Sequence, residues 1–406
     1  MAVTADVALR TRAFTLTRGI ELPCVALSIG YLVFLAACYV KGYWLVEPNG
    51  SVMANDFVNV WAAGHQALQG NAAAAYDPKI HKAIEDAVVG HHFEGEYPWN
   101  YPPFFLFVAG GLALLPILAA NAVWLLLTFP LYLATMLGII RERAGLLFAC
   151  AFPGILANAT AVQNGFLTAA LIGGGLLWLE RRPLLAGLLI GCLTFKPHLG
   201  LLFPLVLIVG GHWRAVATAT GTALVLIGAS YLVFGAETWV AFVHALPATS
   251  QAALAEGRAD FAKLQSVYGL VRMLGGSESL GWLLHGAFAA GVAVGIAALW
   301  RTRAAFELKA AGLATGALLT TPYLFMYDIA VLGVPMAFLV RASLDSGDTG
   351  KEMARLAPAC ALILSFFAIK APVGFAAALV VALLVARRGW PLLFRSQLTA
   401  GPDLRP

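Results

Sequence analysis

Asp56 is a carboxylate that lies a short way beyond the first apolar stretch of the chain. Helical spacing puts Asp56, Val60 and Gly64 on one face, so a helix starting here would present the carboxylate at a membrane surface. Such a group can act as a general base. It can also simply cap the helix, as can Asn55 before it, because Asn and Asp are preferred N-cap residues. Both interpretations stay open.

Lys196 and His198 flank a proline between two short apolar segments. Ionisable residues inside a membrane are costly, and by default they mark a functional site. Beside a proline-broken helix, the lysine can bind a phosphate as a point charge, with freed backbone amides as further donors. The alternative is a lysine that snorkels from a helix end.

Other polar and aromatic groups occur near predicted turns or helix ends. The segment 97–104 combines aromatic residues with three prolines. It fits the headgroup zone, and its rings would also suit a sugar. Polar residues elsewhere can contact a substrate or only hydrogen-bond between helices. The candidate substrate-binding residues are Asn55, His65, Tyr101, Gln163, Asn164, Tyr323, Tyr327 and Asp328.

A group of possible metal ligands occupies residues 91–94, with Asp86 nearby. It lacks the i, i+4 histidine pair of a helical zinc site and lies in a polar stretch. The five cysteines lie in apolar segments without CxxC spacing, which argues against disulfides and zinc. We predict neither a metal site nor a cofactor.

The elements that position these residues must be membrane helices. The chain has 406 residues, of which 60% are hydrophobic and 12% charged, with a mean hydropathy of +0.81. Apolar stretches recur at close to the roughly 20 residues that a helix needs to cross the hydrocarbon. A spanning segment must satisfy its own backbone hydrogen bonds, so we predict an all-α polytopic protein.

Basic clusters between the apolar stretches define a predicted orientation. The positive-inside rule places them in the cytoplasm, so the net charge of +5 reflects topology and not nucleic-acid binding. About 12 crossings with both termini cytoplasmic are expected. Residues 102–140 allow only an odd number of crossings, so one piece is partial or the Arg141 cluster lies outside.

The whole chain, 1–406, is predicted to form one transmembrane domain with two long outer loops. Residues 41–100 contain three Lys, no Arg and seven acidic residues, which fits the outer side. Two interfacial helices are expected in this first loop, 41–101: one from Asn55 or Asp56 to about Gln69, and one over 78–90. Residues 235–265 form the second outer loop and 388–406 a cytoplasmic tail.

The predicted topology brings several candidates to the same outer face, and this convergence favours one site. These residues are Asp56, Tyr101, Gln163, Asn164, Lys196, His198 and Tyr323.

Several short motifs follow one another along the chain. They are Asp56-Phe57, Trp61 to Gly70, Tyr76-Asp77, Tyr101-Pro102-Pro103, Leu115-Pro116 and Thr194 to Pro197. In order and spacing, these motifs resemble family 87 glycosyltransferases, which are polyprenyl-phosphate-sugar-dependent enzymes of the GT-C superfamily and include actinobacterial α-mannosyltransferases of phosphatidylinositol mannosides.

The resemblance implies a GT-C-like fold in the cytoplasmic membrane, with the active site outside and Asp56 as the catalytic residue. A sugar, mannose in the similar enzymes, would pass from a polyprenyl-phosphate donor to a lipid or glycan acceptor. As a hypothesis, Lys196 and His198 bind the donor phosphate and Asp56 takes the acceptor proton, giving inversion. Membrane lipids are the other expected partners.

Two other functional classes stay open. A transporter or lipid flippase would show internal symmetry, a midplane site and ionisable residues spread over several helices. The sequence contains no repeat between its halves, and its candidate polar groups gather at one face. A catalytically idle scaffold subunit is the third alternative.

Overall fold

The computed structural model describes residues 2–258 and 260–398, where the regular secondary structure is helical apart from two isolated β-bridges between residues 44 and 52. Its α-helices are α1 (Ala2–Val40), α2 (Phe57–Leu68), α3 (Pro78–Val89), α4 (Leu106–Ala113), α5 (Ile117–Ile140), α6 (Ala144–Ala151), α7 (Gly154–Ala161), α8 (Gly165–Trp178), α9 (Pro183–Cys192), α10 (Pro197–Gly200), α11 (Leu202–Val209), α12 (Trp213–Ser250), α13 (Val267–Met273), α14 (Glu278–Arg301), α15 (Phe306–Leu319), α16 (Gly333–Ser346), α17 (Thr349–Ser365) and α18 (Val373–Leu398).

Short helical turns connect several of these helices. The 3₁₀ turns are Ala72–Tyr76, Pro103–Phe105, Leu193–Phe195, Phe261–Lys263 and Met326–Leu332, and a π turn covers Gln251–Ala255.

Five helical segments in the described residues are long and apolar enough to cross a membrane. They are Glu21–Val40, Ile117–Ile140, Trp213–Ala255, Glu278–Arg301 and Met326–Leu344. Other apolar stretches are divided into shorter helices, as at Pro153 and Pro197, because proline lacks the amide that continues a helix. The chain is thus a helical membrane protein, and the count of about 12 crossings stays a prediction.

The segment 102–140 contains one long helix and one short one. Pro116 separates the eight residues of α4 from the 24 residues of α5. At 1.5 Å per residue, α4 rises only about 12 Å and cannot cross the roughly 30 Å hydrocarbon layer, whereas α5 can. This geometry favours the alternative in which one piece is partial.

The two helices expected in the first loop are present. Helix α3 starts at Pro78, after Asp77 has accepted hydrogen bonds from the amides of Lys79 and Ile80, and it ends at Gly90 with a φ of 90°. Helix α2 packs against α4 through Gly64, where a Cβ would overlap the carbonyl of Ala109. The first loop is therefore packed onto a helix of the apolar part.

Helix α12 bends at Gly235, whose φ of 80° and ψ of 166° are not helical. The part beyond the bend packs on the first loop: the rings of Phe242 and Tyr76 are 5.6 Å apart. Thr249 Oγ1 also donates to Asn100 Oδ1 at 3.0 Å. The second loop thus covers the first.

The chain after α12 forms a small apolar cluster of its own. Buried Leu254, Leu264 and Tyr268 are packed against Tyr323 and Phe325, which precede the Met326–Leu332 turn. This contact fixes the second loop relative to the late helices. In the expected tail, residues 388–398 continue helix α18, and residues 399–406 lie outside the described part of the chain.

Candidate active site

Asn55, and not Asp56, satisfies the start of helix α2. The Asn55 Oδ1 atom accepts a hydrogen bond from the amide of Phe57 at 3.0 Å, while Asp56 makes no side-chain capping bond although it occupies the N-cap position. The capping interpretation of Asp56 therefore loses its support. Its carboxylate is available for other contacts.

A hydrogen-bonded network of amides and a phenol lies beside Asp56. A side-chain hydrogen bond from Gln163 favours the ionised form of Asp56 and thereby lowers the pKa of its carboxyl group. Gln163 Oε1 accepts from the Tyr101 hydroxyl at 3.3 Å, and Asn164 Nδ2 donates to the Tyr101 oxygen at 2.7 Å. All three partners are buried, so this network fixes the surroundings of the carboxylate.

The short link between α7 and α8, residues 162–164, holds Gln163 and Asn164 in this position. Asn158 Oδ1 accepts the amide of Gly165 at 2.7 Å, and the indole of Trp124 donates to the Gln163 carbonyl at 3.3 Å. A Cβ at Gly165 would overlap the carbonyl of Tyr327. The glycine therefore lets the Met326–Leu332 turn approach the amide pair.

Lys196 pairs with Asp328, far apart in the chain. Its ammonium lies 2.5 Å from Asp328 Oδ1, and the two side chains are 6% and 1% exposed. The ammonium also lies 5.0 Å from the ring centroid of Tyr327. An isolated buried charge is costly, so the carboxylate and the ring together make a buried lysine tolerable here.

Burial raises the pKa of Asp56 from its usual value to about 6. The hydrogen bond from Gln163 and the positive charges of Lys263 and Lys196 oppose that increase, while the charge of Asp328 adds to it. A carboxylate with a pKa near 6 is a stronger base than a free aspartate and is still mostly ionised at neutral pH. This is the balance that a general base needs.

Aromatic rings form one wall beside Tyr101. The ring centroid of Tyr101 lies 4.8 Å from that of Phe105 and 4.9 Å from that of Trp99, and Phe105 stacks with Phe195 at 4.9 Å. Phe195 directly precedes Lys196. The aromatic entry segment and the lysine are therefore parts of one packed unit.

Two of the predicted residues lie at the edge of the cluster. The ring of His198 is 6.3 Å from that of Tyr323, and the Tyr323 hydroxyl donates to Ser250 Oγ at 2.7 Å. Both residues therefore border the second loop. His65 lies apart, because its ring stacks on Trp61 at 5.1 Å and contacts Gln69, further along α2.

Lys263 is the residue that sequence reasoning missed. It ends the 3₁₀ turn Phe261–Lys263, is exposed, and its charge acts on Asp56. An exposed lysine in a polar loop resembles any solvated surface charge. The signal that was available is its position: it is the lysine of the second loop, 235–265.

His91 and His92 of the first loop contact two different carboxylates. His91 Nε2 lies 3.1 Å from Glu47, and His92 Nδ1 lies 2.7 Å from Asp86. Within residues 2–258 and 260–398, no group of three or more metal-ligating side chains comes together. These histidines therefore form two pairs and not one cluster.

The model of glycosyltransferase family 87 matches residues 99–322, more than half of the 406 residues. The chain belongs to glycosyltransferase family 87. Corresponding searches of curated proteins and of solved structures gave no match. This family 87 protein is therefore a membrane glycosyltransferase, with a sugar donor and an acceptor as its partners.

The match covers only part of the cluster. Tyr101, the Gln163-Asn164 pair, Lys196, His198 and Lys263 lie inside it. Asp56 precedes the matched range, and Asp328 follows it. The contacts described above connect both carboxylates to this family 87 segment, Asp56 through Gln163 and Asp328 through Lys196.

Proposed function

We propose that this family 87 protein transfers a sugar from a polyprenyl-phosphate donor to a lipid or glycan acceptor at the outer face of the cytoplasmic membrane. The observation that carries the proposal is the Asp56 carboxylate. It is released from helix capping by Asn55, contacted by Gln163 and buried enough for its pKa to rise to about 6.

Asp56 acts as the general base in this proposal. It removes the proton from an acceptor hydroxyl while that oxygen attacks the anomeric carbon from the side opposite the phosphate. The new bond joins the acceptor oxygen to the sugar, and the bond from the anomeric carbon to the phosphate oxygen breaks. The electron pair of the broken bond stays on the polyprenyl phosphate. Because the attack comes from the opposite side, the anomeric configuration inverts.

The neighbouring groups bind the sugar and the donor phosphate. Tyr101 and Asn164 offer hydroxyl and amide groups, Phe105 and Phe195 stack behind Tyr101, and Tyr327 lies beside Lys196. The sequence predicts Lys196 and His198 on the phosphate side of the site, where Lys196 is held by its ion pair with Asp328. Mannose is the sugar that the family resemblance implies.

The arrangement favours an enzyme over a transporter. A transporter site would use ionisable groups distributed over several spans around the bilayer midplane. Here the carboxylate belongs to a loop helix, and Gln163, Asn164 and Tyr101 converge on it from turns between helices. This geometry suits a site at the membrane surface that a lipid-linked sugar approaches from the side.

Product analysis tests the proposal. The purified protein, reconstituted in vesicles, is given lipid-phosphate-linked mannose, glucose or arabinose with an extract of envelope lipids as acceptors. We expect release of polyprenyl phosphate together with a glycosylated product of inverted configuration, and loss of both with Asp56→Asn. Movement of an intact donor across the vesicle membrane without sugar transfer would instead identify a flippase.

A further inference from the structure

The positive charge of Lys196 is already neutralised by a carboxylate within the protein. Its ammonium lies 2.5 Å from Asp328, and both side chains are buried. A pair of opposite charges has little net charge left for a phosphate, and displacing the carboxylate would leave a buried aspartate without its counter-ion. The donor phosphate therefore needs another cation.

Lys263 meets this need. Among the described residues its ammonium has no hydrogen bond or ion pair, whereas Arg258, the other cation of the second loop, is 2.8 Å from Glu256. Leu264, the neighbour of Lys263, packs against Tyr323 and Phe325, which precede the turn that carries Asp328, and the charge of Lys263 also acts on Asp56. An accessible cation and the base thus belong to the same cluster.

The backbone that carries Lys263 is anchored from three directions. The neighbouring Gln265 is fully buried, and its Nε2 donates to the carbonyls of Ala262 and Lys263, both at 3.1 Å. Gln265 Oε1 accepts the amide of Gly374 at 2.7 Å, and its own amide donates to the Leu324 carbonyl at 2.6 Å. Because the backbone at Lys263 is already fixed, little backbone entropy is lost when a ligand binds to its side chain.

The chemistry of sugar transfer requires such a group. A lipid-phosphate sugar is a phosphodiester with one negative charge. When the bond to the anomeric carbon breaks, the electron pair remains on the phosphate and gives a second developing charge. A cation without a partner in the protein stabilises that charge in the transition state more than in the ground state, which is the condition for a gain in rate.

We propose that Lys263 binds the phosphate of the lipid-linked donor and stabilises its developing charge, with the Lys196–Asp328 pair forming the floor of the site. This assignment rests on the proposed function. It makes the second loop part of the active site. It also separates two tasks, since Lys263 contacts the leaving group and the buried pair holds the Met326–Leu332 turn beside Asp56.

A binding experiment without any sugar tests the assignment. Affinity for polyprenyl phosphate is compared with affinity for the uncharged polyprenol of equal length, in nanodiscs of zwitterionic lipid. We expect the native protein to prefer the phosphate and Lys263→Gln to lose about tenfold of that preference, the weight of one charge-assisted contact. Lys263→Arg should retain most of it.

Arg258→Gln is the matched control, because it removes an exposed positive charge from the same loop. It should leave the phosphate preference unchanged. An equal preference in Lys263→Gln and the native protein would overturn the assignment and leave the proposed function intact. If the native protein shows no preference for the phosphate, the donor class is wrong and the assignment falls with it.

Kinetics provides a second measurement. Because the contact strengthens as the bond breaks, Lys263→Gln should lower kcat and not only raise the donor KM. A change confined to KM would contradict a role in stabilising the developing charge. The melting temperature should stay unchanged, since the exposed side chain makes no bond to the rest of the described protein.

Discussion

The ammonium of Lys196 and the carboxylate of Asp328 form a buried ion pair across 132 residues of sequence. Removing one partner leaves the other charge buried, so Asp328→Asn or Lys196→Met should each lower the free energy of unfolding by about 3–5 kcal/mol. The double variant Lys196→Met/Asp328→Asn should recover much of that loss. Thermal unfolding of the four proteins in one detergent gives the coupling energy, and additive losses would contradict a tight pair.

Asp56→Asn should remove catalysis without harming the fold, because Asn55 supplies the cap of α2. Turnover should fall by at least about 10²-fold, the usual contribution of a general base. The matched control is Asn55→Ala, which should lose about 1 kcal/mol of stability. An Asp56→Asn protein that stays active would remove the base from the mechanism, and a large drop in its melting temperature would restore a structural role.

The rate should depend on pH through Asp56. The base works only when ionised, and burial raises its pKa to about 6, so kcat/KM should rise between about pH 5 and 7 and then level off. Removing the Gln163 hydrogen bond favours the protonated form. Gln163→Leu should therefore move the rising limb to higher pH, whereas a limb that stays in place would contradict the contact.

Glu85 and His81 make the stability of the first loop depend on pH. Burial raises the pKa of Glu85 to about 8 and lowers that of His81 to about 4. Between about pH 4.5 and 6.5 the two effects on stability cancel. In this range Glu85 binds a proton only in the folded state, and His81 binds one only in the unfolded state. Above pH 6.5 only the glutamic acid counts.

The free energy of unfolding should therefore fall by about 2 kcal/mol between pH 6.5 and 8. Glu85→Gln keeps the shape and removes the titration. Melting temperatures measured over this range should fall for the native protein and stay nearly flat for the variant. Parallel slopes would show that the decline has another origin.

Thiol labelling tests the orientation that the basic clusters predict. Gly95 and Gly347 have φ values of 95° and 73°, at which a cysteine would be strained, so the exposed neighbours Glu94 and Lys351 are better sites. Glu94→Cys should react with an impermeant reagent in cells with a permeabilised outer envelope, and Lys351→Cys should not. The opposite pattern would move the Asp56 cluster to the cytoplasmic side.

Local signals predicted the first loop well. Asp77-Pro78 determines the start of α3 on its own, because the aspartate caps and the proline is tolerated in the first turn. The choice between Asn55 and Asp56 as the cap of α2 was beyond the sequence, since both residue types serve. Only the path of the chain decides which oxygen reaches the amide of Phe57.

Contacts between residues far apart in the chain were harder to predict from the sequence. Lys196 and Asp328 each stood out as ionisable groups in apolar surroundings, but nothing in their spacing states that they meet. Lys263 had only its position in the second loop as a signal, because its proposed role depends on the bend at Gly235 and on the contacts of Gln265. The number of membrane crossings stayed open for a similar reason. A proline such as Pro197 indicates that a helix ends, but it does not determine the direction of the chain that follows.

The hydrogen bond between Gln265 and Gly374 has a consequence for biosynthesis. Asp56 leaves the ribosome well before Gly374, which belongs to α18. Until α18 has been made, Gln265 Oε1 cannot accept the amide of Gly374, so the backbone around Lys263 lacks one of its anchors. Synthesis of α18 is thus the event that finishes the arrangement, and a nascent polypeptide halted before α18 contains Asp56 without the complete backbone support of Lys263.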